Sequence, residues 1–153
     1  MRDHFPEATV RHYLDGVLLH QEGRYDNAMC HYAFSAECAI KAFRTQFLQV
    51  YKERTSIIKP DSKFHKADSA LISMTEYHEF LGALDPHFSL LIGTEAPPSI
   101  LFQEHPDRRY KNDISYTDAE LSECKAFANR FVQRVIDAVI DGRLEYESVR
   151  GAL

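Results

Sequence analysis

The stretch Tyr25-Asp26-Asn27-Ala28-Met29-Cys30-His31-Tyr32-Ala33-Phe34-Ser35-Ala36-Glu37-Cys38-Ala39-Ile40-Lys41-Ala42-Phe43-Arg44, running on through Phe47 and Val50 to Tyr51, decides the fold. At about 100° per residue its apolar side chains cover far more than one face of a helix. Ala28, Met29, Tyr32, Ala33, Ala36, Ala39, Ile40, Phe43, Phe47, Val50 and Tyr51 form the main surface, and Phe34, Cys38 and Ala42 widen it. Only a narrow strip through Glu37, Lys41 and Arg44 is polar. A helix this apolar must be covered on several sides, so the pattern predicts a central helix over 25–51. Its alanines allow close neighbours.

Upstream, Val10, Leu14, Val17, Leu18 and Gln21 recur at helical spacing, with Pro6 suited to the first turn and Gly23 to the stop. Gly16 weakens that run by about 1 kcal/mol relative to alanine. A tight turn joins the two helices, with Asp26 the expected N-cap of the second. Downstream, Lys59-Pro60-Asp61 breaks the central helix, and a third is expected over about 66–84, closed by Asp85-Pro86, with a short helical turn from Phe88 to Ile92. Residues 93–116 carry no periodicity and read as a long irregular loop, a length that is often functional. The last long helix opens on the capping box Thr117-Asp118-Ala119-Glu120. It carries the stripe Leu121, Cys124, Ala128, Phe131, Val132, Val135, Ala138, Val139, and Gly142 ends it. The tail from Arg143 reads as a short marginal helix. The fold class is therefore all-α: one domain over 1–153, an up-and-down bundle of four to five helices with a long loop before the last long helix.

Bulk properties narrow the function. A net charge of −5 is the wrong sign for a surface that holds nucleic acid mainly by neutralising phosphates. No tryptophan is present, so 10 phenylalanines and 8 tyrosines carry the aromatic core. The 3 cysteines, Cys30, Cys38 and Cys124, form no CxxC pair and read as buried thiols in a reducing compartment. The N-terminal residues form no apolar signal, and no run reaches the length of a membrane span. A cytoplasmic protein is expected.

Three groups of residues could carry chemistry. His105, Arg108, Arg109, Tyr110 and Lys111 combine guanidinium forks with an aromatic face, a set that can hold a phosphate and stack a base. Alternatively, Arg109 pairs with Asp107, Asp113 or Glu104 and pins the loop. Glu37 and Lys41, at i and i+4 in the favoured order, form a helical ion pair; with Arg44 they make either a half-covered strip or a dimer seam. The 8 histidines show no HExxH and no i, i+4 pair, and His12 and His20 point about 80° apart on their helix, so neither a metal site nor any cofactor is expected.

The turn Gly23-Arg24-Tyr25-Asp26-Asn27-Ala28 and the helix segment Glu37-Cys38-Ala39-Ile40-Lys41-Ala42 resemble the first hairpin of HEPN domains, small helical proteins often encoded beside minimal nucleotidyltransferases. Phe64-His65-Lys66-Ala67-Asp68-Ser69-Ala70-Leu71 is similar to that family's entry to its third helix, though it lacks the usual leucine shortly after the histidine. Asp107-Arg108-Arg109-Tyr110 is similar to an Arg-Tyr preceding the last helix in one branch. The resemblance implies a helical bundle, a homodimer and a nucleotidyltransferase partner. HEPN ribonucleases also carry an arginine and a histidine four to six residues apart near the last core helix, and here no histidine follows Arg109. A ribonuclease needs a base for the 2′-hydroxyl and a cation for the phosphorane. The expected function is thus a non-catalytic binding module, with no catalytic residue, acting with a nucleotidyltransferase or holding a nucleotide or RNA. The alternative is a divergent, toxin-like ribonuclease in which Arg108 or Arg109 binds phosphate and His105 or a distant histidine is the base.

Overall fold

The computed structural model describes the backbone of residues 4–51, 97–111 and 114–144, with side chains throughout except over 44–51. Among the described residues there are three α-helices and one 3-10 turn, and no strand. Helix α1 spans Phe5–Gln21, α2 spans Tyr25–Tyr51 and α3 spans Asp118–Ile140; the 3-10 turn is Asp107–Tyr110. The helices expected over 66–84 and 88–92, and the tail beyond 144, lie outside the described residues. No described helix is long and apolar enough to cross a membrane.

Helix α2 is central, as its composition requires. Ala28, Met29, Tyr32, Ala33, Ala36, Ala39, Ile40, Ala42 and Phe43 are all buried. Helix α1 packs along one side, α3 along another, and α1 and α3 also touch. From α3 come Leu121, Cys124, Phe127, Ala128, Phe131, Val135 and Ala138; Leu101, Phe102 and Tyr116 close the core from the connecting segment. Phe127 and Phe131 stack at 4.9 Å between ring centroids. Cys30 and Cys124 are buried and Cys38 half-buried, and burial pushes the Cys38 and Cys124 thiols up to about 12. Such thiols are inert small hydrophobes at neutral pH.

The local signals act where the sequence places them. Pro6 lies in the first turn of α1, and Gly23 takes φ +73° in the turn that reverses the chain. The α3 capping box forms in both directions, with Glu120 N donating to Thr117 Oγ1 at 3.1 Å and Thr117 N donating to a Glu120 carboxylate oxygen at 3.4 Å. Asp26 is not the cap of α2: the Arg24 carbonyl accepts from Ala28 N at 3.0 Å, which leaves Asp26 inside the first turn. There its carboxylate favours the positive end of the helix dipole.

Two contacts set how closely α1 approaches α2. Ser35 Oγ, fully buried, donates to the Thr9 carbonyl at 2.7 Å. That carbonyl has a second lone pair to offer beside its helical bond, and the Thr9 hydroxyl itself donates back to Phe5 O at 2.8 Å. Further along, Gly16 lies under the ring of Tyr32. A Cβ built at position 16 would come within 2.7 Å of Tyr32 Cε1 and 2.8 Å of Cδ1. The glycine that costs helix propensity in the sequence is what admits the largest fully buried side chain of α2.

Gly16→Ala should therefore destabilise the protein. Alanine gains up to about 1 kcal/mol of helix propensity, but overpacking against a ring with no room to move costs about 1–3 kcal/mol. Guanidinium denaturation should show a net loss; a gain in stability would mean that Tyr32 shifts freely.

Candidate functional site

The expected cluster of His105, Arg108, Arg109, Tyr110 and Lys111 divides into an inner and an outer set. Residues 99–106 form consecutive turns, and in the 3-10 turn that follows Arg108 alone is buried while its neighbours face out. His105 and Arg108 go in, with 1% and 3% of their surface exposed. Arg109, Tyr110 and Lys111 stay out.

Arg108 pins the segment. One guanidinium nitrogen, Nη1, donates to the Ile100 carbonyl at 2.9 Å and lies 3.4 Å from Gln103 O and 3.5 Å from Tyr116 Oη. The other, Nη2, donates to Leu101 O and, at 3.1 Å, to Met29 O on α2. Among the described residues no carboxylate pairs with it; carbonyl dipoles meet the charge. A planar fork with several fixed donors can satisfy that many acceptors at once, which a lysine cannot. The sequence offers, as the alternative to a phosphate site, an Arg109 pinned by Asp107, Asp113 or Glu104; Asp113 lies outside the described residues, and neither of the other two carboxylates pairs with Arg109. Arg108 holds the segment through backbone oxygens.

His105 completes the inner set. Its Nε2–H donates to Glu37 Oε2 at 2.7 Å, and the other Glu37 oxygen takes Lys41 Nζ at 2.7 Å. The Lys41 ammonium also lies 5.7 Å from the centre of the Phe5 ring. Glu37 and Lys41 side chains are only 14% and 12% exposed, so the polar strip of α2 is already half covered from within the chain. The Arg44 side chain lies outside the described residues. Burial pushes the Glu37 carboxyl up, but hydrogen bonds from His105 and Lys41 outweigh it and hold the group below its ordinary value of 4.5.

The outer set is arranged around rings. The Arg109 guanidinium lies 4.7 Å from the Tyr110 ring centre and 5.9 Å from that of Phe34. Tyr110 is 75% exposed. Lys111 is held by Glu104 at 2.6 Å. Phe34 joins the two sets, since the His105 ring meets it edge-on at 4.7 Å.

Phe34 also borders a group that spacing along the chain did not reveal. His12 on α1 and His31 on α2 face each other with their Nδ1 atoms 3.1 Å apart, and the His12 ring lies 5.3 Å from Phe34. Asp15, one turn beyond His12, points to the same place. His20 has a separate, structural role. It donates to Asp118 Oδ1 at 2.8 Å and accepts from Tyr32 Oη at 3.2 Å, tying the start of α3 to the hairpin. Neither cluster could be found from local motifs, because each depends on the pairing of α1 with α2 or α3.

Comparison with family models, with curated proteins and with solved structures returns no match for this chain. The site is therefore read from its own geometry.

Two predictions follow from the inner set. Arg108→Ala and Arg108→Lys should both destabilise the fold by about 2–4 kcal/mol in denaturant titrations, because each leaves buried carbonyls without donors. A fully stable Arg108→Lys would show that the fork is dispensable. Glu37 contributes stability above its ordinary carboxyl value, and that contribution disappears as pH falls through the depressed folded value. The gap in unfolding free energy between wild type and Glu37→Gln should thus be largest near pH 7 and shrink below about pH 4.5; a pH-independent gap would deny the pairing.

Proposed function

We propose that this chain is a non-catalytic binding module of HEPN type that holds a small anionic ligand, a nucleotide or the end of an RNA strand, on Arg109 and Tyr110. The observation that carries this reading is the state of Arg109. It is an exposed guanidinium stacked on two rings, with no carboxylate or carbonyl partner among the described residues. Stacking occupies the face of the guanidinium and leaves its in-plane N–H groups for a bidentate phosphate contact. Tyr110 offers an exposed ring beside it for a base. Arg108 and the Glu37–His105 bond fix the backbone below, so the pair is presented at little entropic cost. A single guanidinium beside one exposed ring, in a chain of net charge −5, suits a ligand with one or two phosphates better than a long duplex.

The ribonuclease alternative draws no support from these residues. His105, the base it places in this cluster, is buried and committed to Glu37, beyond the reach of a substrate. Its phosphate cation would be Arg108 or Arg109, and Arg108 is filled by backbone acceptors. In the same reading, the module works as a homodimer with a nucleotidyltransferase partner. Leu14 and Leu18, exposed one turn apart on α1, give a second copy an apolar surface to cover.

Calorimetric titration with nucleoside mono- and triphosphates and with short single-stranded RNA tests the ligand. Binding should weaken at least about tenfold in Arg109→Ala and by about 1–3 kcal/mol in Tyr110→Ala. No binding, or binding that neither variant changes, overturns the reading. For the dimer, light scattering should show Leu14→Glu with Leu18→Glu to be monomeric where wild type is dimeric; a monomeric wild type removes that part.

A further inference from the structure

We propose that His12, Asp15 and His31 form a binding site for a divalent transition-metal ion of the zinc class, bridging α1 and α2. His12 and Asp15 are three residues apart on α1 and so share a face of that helix. The antiparallel hairpin then brings His31 of α2 opposite them. Each of the three offers one ligand atom, and these atoms all lie within 4.8 Å of one another. The two Nδ1 atoms are 3.1 Å apart. Two imidazole nitrogens on a tetrahedral zinc, each about 2.0–2.1 Å from the ion, stand about 3.3–3.4 Å from each other. The histidine pair is already near the bite that coordination requires, and only Asp15, at the exposed edge, has to draw in.

The surroundings favour an ion over a bare histidine pair. Two neutral rings at this distance share a single hydrogen bond, whereas an ion engages both nitrogens and gives Asp15 a partner. Phe34 packs against both rings, at 5.3 Å from His12 and 6.5 Å from His31, and limits their rotation. That preorganises the ligands. The set of two imidazoles and one carboxylate matches zinc, cobalt and nickel better than magnesium or calcium, which prefer oxygen alone. Three protein ligands leave one tetrahedral position for water or a ligand oxygen. The His12 and His31 side chains are half-buried and Asp15 is exposed, so that position faces outward. When bound, the ion would clamp α1 to α2 across the hairpin. Nothing in the site depends on Arg109 or Tyr110, and it stands whether or not those residues bind an anion.

The test is titration of tag-free, chelator-treated full chain with zinc, and with cobalt as a spectroscopic probe. One equivalent should bind with low-micromolar affinity, and cobalt should give the visible absorption of a four- or five-coordinate nitrogen–oxygen site. His12→Ala and His31→Ala should each weaken binding about 30-fold or more, and Asp15→Asn about tenfold. His20→Ala, which removes a histidine outside the group, and Arg109→Ala should both leave it unchanged. Asp15 is on the surface, so its variant folds and keeps the test open if a histidine variant does not. Absence of stoichiometric binding at tens of micromolar zinc overturns the proposal. So does binding that Asp15→Asn and the histidine variants leave intact, or that His20→Ala abolishes.

Discussion

Everything described in this molecule depends on the need to cover α2 on nearly all sides. A helix whose surface is alanine, methionine, phenylalanine and tyrosine cannot stand in water, and no single neighbour can bury it. Helix α1 takes one side through Gly16 and the Ser35–Thr9 bond, and α3 takes another through its phenylalanines. Among the described residues, further surface is covered by the segment before α3, which has no periodic apolar face of its own. Leu101, Phe102 and Tyr116 lead its apolar contribution, and Arg108 and His105 add a polar hold on α2.

That polar hold explains the shape of the candidate site. A run of turns exposes many backbone oxygens, and burying them without donors would cost more than the apolar contacts return. Arg108 answers this by collecting carbonyls from its own segment and one from α2 on a single guanidinium. His105 reaches Glu37 for the same end, and Lys41 balances the carboxylate. With those two side chains drawn inward, the 3-10 geometry turns Arg109 and Tyr110 outward onto a fixed backbone. The outer residues are presented by the inner ones, and Phe34 carries both, together with His12 and His31.

Much of the framework was legible along the chain because it rests on local rules. The extent of α2, the glycine stop after α1 and the α3 capping box each follow from residue spacing and backbone preference within a few positions. Asp26 falls two residues inside α2, because the first helical hydrogen bond already starts from the Arg24 carbonyl, at a residue that no side-chain rule marks. Phe127 is fully buried beside the expected stripe, because coverage by α2 is wider than one line of residues. In the loop, the residue types were readable but not their directions. Five neighbouring polar residues looked like one site, and a 3-10 turn separates them into a buried pair and an exposed set.

The sequence by itself therefore determined that the described segments α1, α2 and α3 are helical and that α2 is central, because period, caps and composition act locally. Only the tertiary structure decided which of two adjacent arginines is the pin and which is free. It alone brought His31 to His12 and Asp15, and His105 to Glu37. Those partners lie 19 and 68 residues apart. At such separations, chain spacing carries no information about distance, and the packing of α2 against its neighbours supplies it.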